Sequence, residues 1–179
     1  MSYTLEQFCT DTHDILKGGA DDAARAKVAK KLEGLLVDPD FVARYFDPKK
    51  EAGQEVVHRD PLGFNVLVHH NKATKQPGAP HDHGTSWAIY GVSRGFTDMT
   101  EWRRLDDGKK PGHAEIERAK TYRLGVGMAV PYRPRAIHNT FMPEGAWVVR
   151  VTGVDLDTIP RQRFVPERNE VKEFGTVPA

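Results

Sequence analysis

Short runs of branched and aromatic residues follow one another from about residue 55 to residue 155, and they constrain the fold more than any other feature. Gly, Pro, Asn or Asp separates each run from the next, which is typical of the strands and turns of an all-β sandwich or small barrel. The pattern therefore predicts a mainly β fold. The predicted strands are 56–57, 64–69, 85–92, 99–105, 114–124, 126–130, 137–142 and 146–151.

The first fifty residues carry a helical pattern instead. Thr4 and Gln7 fit the two ends of a capping box, and apolar residues recur behind them at helical spacing. A second helix is predicted to begin at Asp21 or Asp22, and the pair Asp38-Pro39 predicts the start of a third.

The change of pattern near residue 50 suggests how the chain is organised. Because fifty helical residues make a poor independent domain, we expect them to pack on the β region instead. The sequence therefore predicts a single domain over 1–179, with a helical cap (1–50), a β-barrel (55–155) and a C-terminal arm (156–179) that forms an edge strand or an ordered extension.

Composition excludes several classes of function. Hydrophobic residues make up 39% of the chain and charged residues 28%, and the net charge is +1, so neither nucleic acid nor an anionic membrane is an expected partner. No stretch approaches the roughly 18 apolar residues of a membrane span, and the N-terminus does not resemble a secretory signal. The single cysteine, Cys9, cannot form an intrachain disulfide, which fits a cytoplasmic protein.

Two histidines in the segment Pro80-His81-Asp82-His83-Gly84 indicate a metal site. Side chains alternate along a strand, so histidines two residues apart on a strand face the same side and supply half of a metal site. His138 is the best candidate for a third ligand. Imidazole binds iron, copper, nickel and zinc, so the spacing predicts a metal more firmly than it predicts which one.

The surroundings of these histidines resemble the two motifs of the cupin superfamily. The first motif is a glycine, a short gap, His-X-His and a strand that ends on glycine, as found between Gly78 and Gly95. The second has the spacing of Gly125 and Pro131, with His138 two residues later than usual. The resemblance covers about residues 55–155 and implies a double-stranded β-helix (jelly-roll) barrel with a metal inside.

Within the cupins, the chain is most similar to the thiol dioxygenase branch, typified by cysteine dioxygenase. That branch has N-terminal helices, a Pro-His-Asp-His type of first motif and no metal-binding glutamate, and the glutamate position here falls at Trp87 or Ala88. The resemblance implies ferrous iron held by His81, His83 and His138, although nickel, zinc, manganese or copper stay open. Arg59 matches the position of the carboxylate-binding arginine, and a guanidinium suits a carboxylate.

The chain also departs from that branch. A Ser-X-His-X-Tyr trio late in the barrel is replaced by Val148, Arg150 and Thr152, and the cysteine that some members crosslink to tyrosine falls at Ala88. Arg150 is predicted to face inward, where it could bind the substrate's anion in place of Arg59. Tyr90 lies on the same predicted face as residue 88, and is the candidate catalytic phenol near the metal.

These observations predict an iron-dependent dioxygenase that oxidises a small thiol carboxylate to a sulfinate, with the substrate and dioxygen as partners. Two alternatives stay open. One is a cupin metalloenzyme that acts on a non-thiol small molecule, which the missing trio favours. The other is a non-catalytic, metal-dependent binding or sensing protein. A homodimer is expected only by analogy with other cupins.

Overall fold

A computed structural model describes residues 2–47, 49–70 and 76–175 of the chain. Its first segment forms three helices, as predicted: α1 (Leu5–Leu16), α2 (Asp22–Leu36) and α3 (Pro39–Tyr45). The capping box at α1 is complete, because the Thr4 side chain accepts from the Gln7 amide and the Gln7 side chain accepts from the Thr4 amide. Asp21 and Asp38 cap α2 and α3 through side-chain oxygens.

The predicted β region contains eight strands, which follow the order of the eight apolar runs. Two more strands form a hairpin in the C-terminal segment, where an edge strand or an ordered arm was predicted; its last residues, 176–179, lie outside the described residues. The strands are β1 (Gly53–Arg59), β2 (Asn65–His70), β3 (Ala88–Arg94), β4 (Thr97–Arg104), β5 (Ile116–Leu124), β6 (Ala129–Tyr132), β7 (Ile137–Phe141), β8 (Trp147–Thr152), β9 (Arg161–Val165) and β10 (Glu170–Phe174).

All strand pairs are antiparallel, and they form three sheets in the described part of the chain. The sheet orders are β1-β2-β8-β3-β6, β5-β4-β7 and β10-β9. The predicted fold class, mainly β with N-terminal helices, is confirmed. The strand pairings form separate sheets without a closed barrel, and the five-stranded and three-stranded sheets pack against each other, as in a jelly roll. The predicted division into cap, β region and arm stays a prediction.

The five-stranded sheet has two different faces. Its outer face packs against the helices, where Val66, Ile89 and Val149 share an apolar cluster with Leu32 and Leu36 of α2. Burial of this cluster is the main force that holds the helices on the sheet. The inner face packs against the three-stranded sheet through a second cluster.

Register places the polar residues of the inner face. Arg150 of β8 lies directly opposite Tyr90 of β3 and Leu67 of β2, so the three side chains point to the same side. Tyr90 belongs to the inner cluster, which confirms that Arg150 faces inward. No helix within the described ranges is long and apolar enough to cross a membrane.

Candidate metal centre

The three predicted ligands come together, although the backbone around two of them differs from the prediction. His138 lies in β7, and His81 forms an isolated antiparallel bridge with it. The two residues exchange backbone hydrogen bonds of 2.9 and 3.0 Å. His83 lies in the irregular segment before β3, so the predicted strand 85–92 begins only at Ala88.

Gly84 explains this difference. Its φ of +55° is in the left-handed region and interrupts the extended backbone directly after His83. The amide of Ser86 then donates to the carbonyl of His83 at 2.9 Å and forms a turn. The two histidines therefore converge through a bridge and a turn rather than through regular strand alternation.

The imidazoles are arranged as a set of metal ligands. One nitrogen from each of His81, His83 and His138 lies within 4.8 Å of the others. Ring centroids are 4.8 Å apart for His81 and His138, and 4.9 Å apart for His83 and His138. His83 and His138 are buried and His81 is partly exposed. The three histidines fit a metal site.

Hydrogen bonds set the tautomers that metal binding requires. Nδ1 of His81 lies 3.0 Å from the carbonyl of Ala79, and Nδ1 of His138 lies 3.2 Å from the carbonyl of Ala136. A carbonyl only accepts, so each Nδ1 carries the proton and each Nε2 keeps a lone pair. The Nε2 atoms of His81 and His138 are therefore in the protonation state that binding of a divalent cation requires.

Burial keeps these rings neutral. It is the main cause that lowers the pKa of His138 to about 3 and the pKa of His83 well below its usual value, and it also lowers the pKa of His81. The positive charge of Arg150 acts in the same direction on all three. Protons therefore compete weakly with a metal for these nitrogens near neutral pH.

Asp82 fixes the loop that carries His81 and His83. The Asp82 carboxylate is buried and accepts from the amides of Gly84, at 3.0 Å, and Gln162, at 2.8 Å. Its own amide donates to the carbonyl of Gln162. The loop is thus tied to β9. Sequence reasoning assigned Asp82 no role, because its partner is eighty residues away.

Two tyrosines surround the centre. The hydroxyl of Tyr90, the predicted catalytic phenol, lies 3.2 Å from Nε2 of His83 and 3.4 Å from Nε2 of His138. The ring of Tyr132 stacks on His138 with centroids 4.5 Å apart and an interplanar angle of 17°. Burial raises the pKa of Tyr132 above its ordinary value, so this phenol keeps its proton. Sequence reasoning did not identify Tyr132.

Arginines line a cavity of about 200 Å³ on the inner side of the sheet, and Arg59, Arg150 and Arg161 are among them. Arg59 donates to Asp155 at 2.7 Å and to Asn65 at 3.2 Å, and its side chain is 60% exposed. The guanidinium predicted to bind a carboxylate is therefore already paired with one.

Arg150 and Arg161 are different. In the described part of the chain, the Nε of each is buried without a hydrogen-bond partner. Their other contacts are long: Arg150 donates to Gln54 at 3.2 Å and Arg161 to Asp157 at 3.4 Å. Burial, together with the charge of Arg150, lowers the pKa of Arg161. Hydrogen-bond donors of a guanidinium that have no partner are suited to an anion. Sequence reasoning did not single out Arg161.

Comparison with known proteins gives likenesses to solved structures only. No protein-family model matches the chain, and no curated protein matches its sequence. KdgF from Halomonas sp. is 17% identical, with a TM-score of 0.43 over 59% of this chain and 82% of that one. A protein with a double-stranded β-helix domain from Klebsiella pneumoniae is 21% identical, with a TM-score of 0.41 over 62% and 80%. A cupin-2 domain protein from Shewanella frigidimarina is 9% identical, with a TM-score of 0.42 over 67% and 96%. These likenesses assign no activity to the chain.

Proposed function

We propose that the chain is an iron-dependent dioxygenase that converts a small thiol carboxylate to a sulfinate. The observation that carries this proposal is a set of three imidazoles with no carboxylate among them, in which the Nδ1 atoms of His81 and His138 donate to backbone carbonyls and leave Nε2 to the metal. A metal held by His81, His83 and His138 has positions left over, and iron in such a site supplies binding of a thiolate beside dioxygen. Both oxygen atoms end on the sulfur, and the thiol proton is released.

The chain's own residues supply orientation. Arg150 and Arg161 hold the substrate carboxylate with the donors that the free protein leaves unused. Fixing the carboxylate at a guanidinium directs the sulfur of a short thiol toward the histidines and restricts its motion there. Arg59 contributes less to substrate binding, because its guanidinium is already paired with the Asp155 carboxylate.

Tyr90 is the polar group nearest to the reacting atoms. Its hydroxyl faces the Nε2 atoms of His83 and His138, so it would be available to donate a hydrogen bond to a substrate held at this site.

A second candidate is a metal-dependent enzyme for a non-thiol anion. The trio positions favour it, because Val148 is apolar and fully buried and the Thr152 hydroxyl donates to the carbonyl of Val154. Neither side chain can assist at the metal.

Oxygen uptake tests the proposal directly. Protein loaded with ferrous iron is expected to consume oxygen with a small thiol carboxylate and to form the sulfinate, detected by mass spectrometry. The matched control is the same acid with a hydroxyl in place of the thiol. Nickel, zinc, manganese and copper are loaded in parallel. Turnover of the hydroxy acid alone supports the second candidate, and no uptake with any thiol contradicts the proposal.

Arg150→Gln is expected to weaken substrate binding. A charge-assisted hydrogen bond contributes about 1.5–3 kcal/mol, so KM for the thiol carboxylate rises roughly 10–150-fold. Arg59→Gln is the matched control and changes KM by less than about fivefold, since it removes an exposed ion pair. Steady-state oxygen uptake measures both. A larger rise of KM in Arg59→Gln than in Arg150→Gln would mean that Arg59, and not Arg150, binds the substrate carboxylate.

A further inference from the structure

A chain of hydrogen bonds leads from the metal centre to the surface, and the proposed reaction does not use it. Tyr132 stacks on His138 and is 5% exposed. Its hydroxyl lies 2.7 Å from the hydroxyl of Tyr122, which donates to Oε1 of Glu101 at 2.9 Å. The Glu101 side chain is 28% exposed and also pairs with Lys120 at 3.2 Å.

The direction of these bonds is fixed. The Tyr122 hydroxyl has one proton, which it gives to the Glu101 carboxylate, so its oxygen accepts from Tyr132. Each hydroxyl proton in this series of hydrogen bonds therefore points away from the metal centre and toward Glu101, which is partly exposed to water. At the other end of this series, the ring of Tyr132 stacks on His138 and so contacts the metal centre.

We propose that Tyr132 takes up an oxidising equivalent from the metal centre when a peroxide reacts there without substrate, and that Tyr122 and Glu101 relay its proton toward the surface. The proposal rests on the proposed iron function, because it needs a metal that changes oxidation state. Its benefit is protection of His81, His83 and His138, which are the side chains nearest to the oxidant.

The step balances in electrons and protons. Hydrogen peroxide takes two electrons, one from ferrous iron and one from Tyr132 through the His138 ring, and becomes two hydroxide ions. The O–H bond of Tyr132 breaks, its proton passes to Tyr122, and the proton of Tyr122 passes to Glu101. The products are ferric iron, a neutral radical on Tyr132 and a protonated Glu101.

Electron paramagnetic resonance after peroxide addition tests the relay in the iron-loaded full chain without substrate. Wild type is expected to give a tyrosyl radical. Tyr132→Phe keeps the ring that stacks on His138 but loses most of this signal. Glu101→Gln removes the final proton acceptor and weakens the signal. Tyr45→Phe is the matched control and gives the wild-type signal, because Tyr45 lies in α3 and packs with the outer cluster.

Oxidation of the three ligand histidines, measured by mass spectrometry after the same treatment, is the second readout. It is expected to rise in Tyr132→Phe and to stay at the wild-type level in Tyr45→Phe. Iron content is measured first in every variant. If Tyr132→Phe holds the full amount of iron and gives the radical signal and the histidine oxidation of wild type, the relay is wrong. The proposed function is not affected by that result. Wild-type protein that holds no iron overturns both the relay and the proposed function.

Discussion

His83→Ala is expected to abolish stoichiometric metal binding. His83 is 3% exposed and supplies one of three imidazoles whose ligand atoms lie within 4.8 Å of one another. Loss of groups that only orient metal ligands typically lowers metal affinity about 10–100-fold, so loss of a ligand is expected to lower it by more than about 100-fold. Elemental analysis after dialysis against a weak chelator measures the change for iron and for zinc.

His113→Ala is the matched control for this experiment. His113 also carries an imidazole, but it forms an isolated bridge with Glu170 of β10, and its side chain lies 3.3 Å from the Glu115 carboxylate. It is expected to keep the full metal content. If His83→Ala retains as much metal as His113→Ala, the three-histidine centre is wrong, whatever activity the protein has.

The sequence predicted these ligands because their signal is local. His81 and His83 stand two residues apart, and His138, far away in the sequence, was the best candidate for a third ligand, which the cupin resemblance supported. The strand order follows from apolar runs of a length that only strands fit. The helix starts follow from side chains that cap the nearest amides, such as Thr4 and Asp38. The histidine pair, the strands and the helix starts are each decided within about ten residues, where spacing and propensity are informative.

The supporting residues could not be predicted in this way. Arg59 and Asp155 are 96 residues apart, and only the folded chain shows that they pair. Arg161 lines the inner cavity, and Tyr132 stacks on His138. Both residues come from elements whose relative position depends on tertiary packing. The requirement for glycine at Gly84, directly before the predicted strand, also comes from far away in the chain, since the carbonyl of Pro160 leaves no room for a side chain there.

Gly84→Ala is therefore expected to be among the most destabilising single substitutions in the chain. At a φ of +55°, a Cβ costs about 1–2 kcal/mol. An ideal Cβ would also lie 2.2 Å from the carbonyl oxygen of Pro160, so the backbone must move, and overpacking of this kind costs about 1–3 kcal/mol. The free energy of unfolding of the metal-free protein is expected to fall by about 2–5 kcal/mol, measured by urea denaturation.

Gly145→Ala separates the two causes. Gly145 also has a positive φ, +73°, but a Cβ there would meet nothing within 4 Å, so only the conformational cost of about 1–2 kcal/mol applies. Gly84 has a further consequence that Gly145 lacks. Its amide donates to Asp82 and its carbonyl accepts from Arg135, so a displaced backbone shifts both His83 and the segment before His138. Gly84→Ala is thus expected to lose metal affinity as well as stability, while Gly145→Ala keeps the affinity of wild type. Equal losses of stability in the two variants would mean that the contact with Pro160 does not determine the shape of the metal-binding loop.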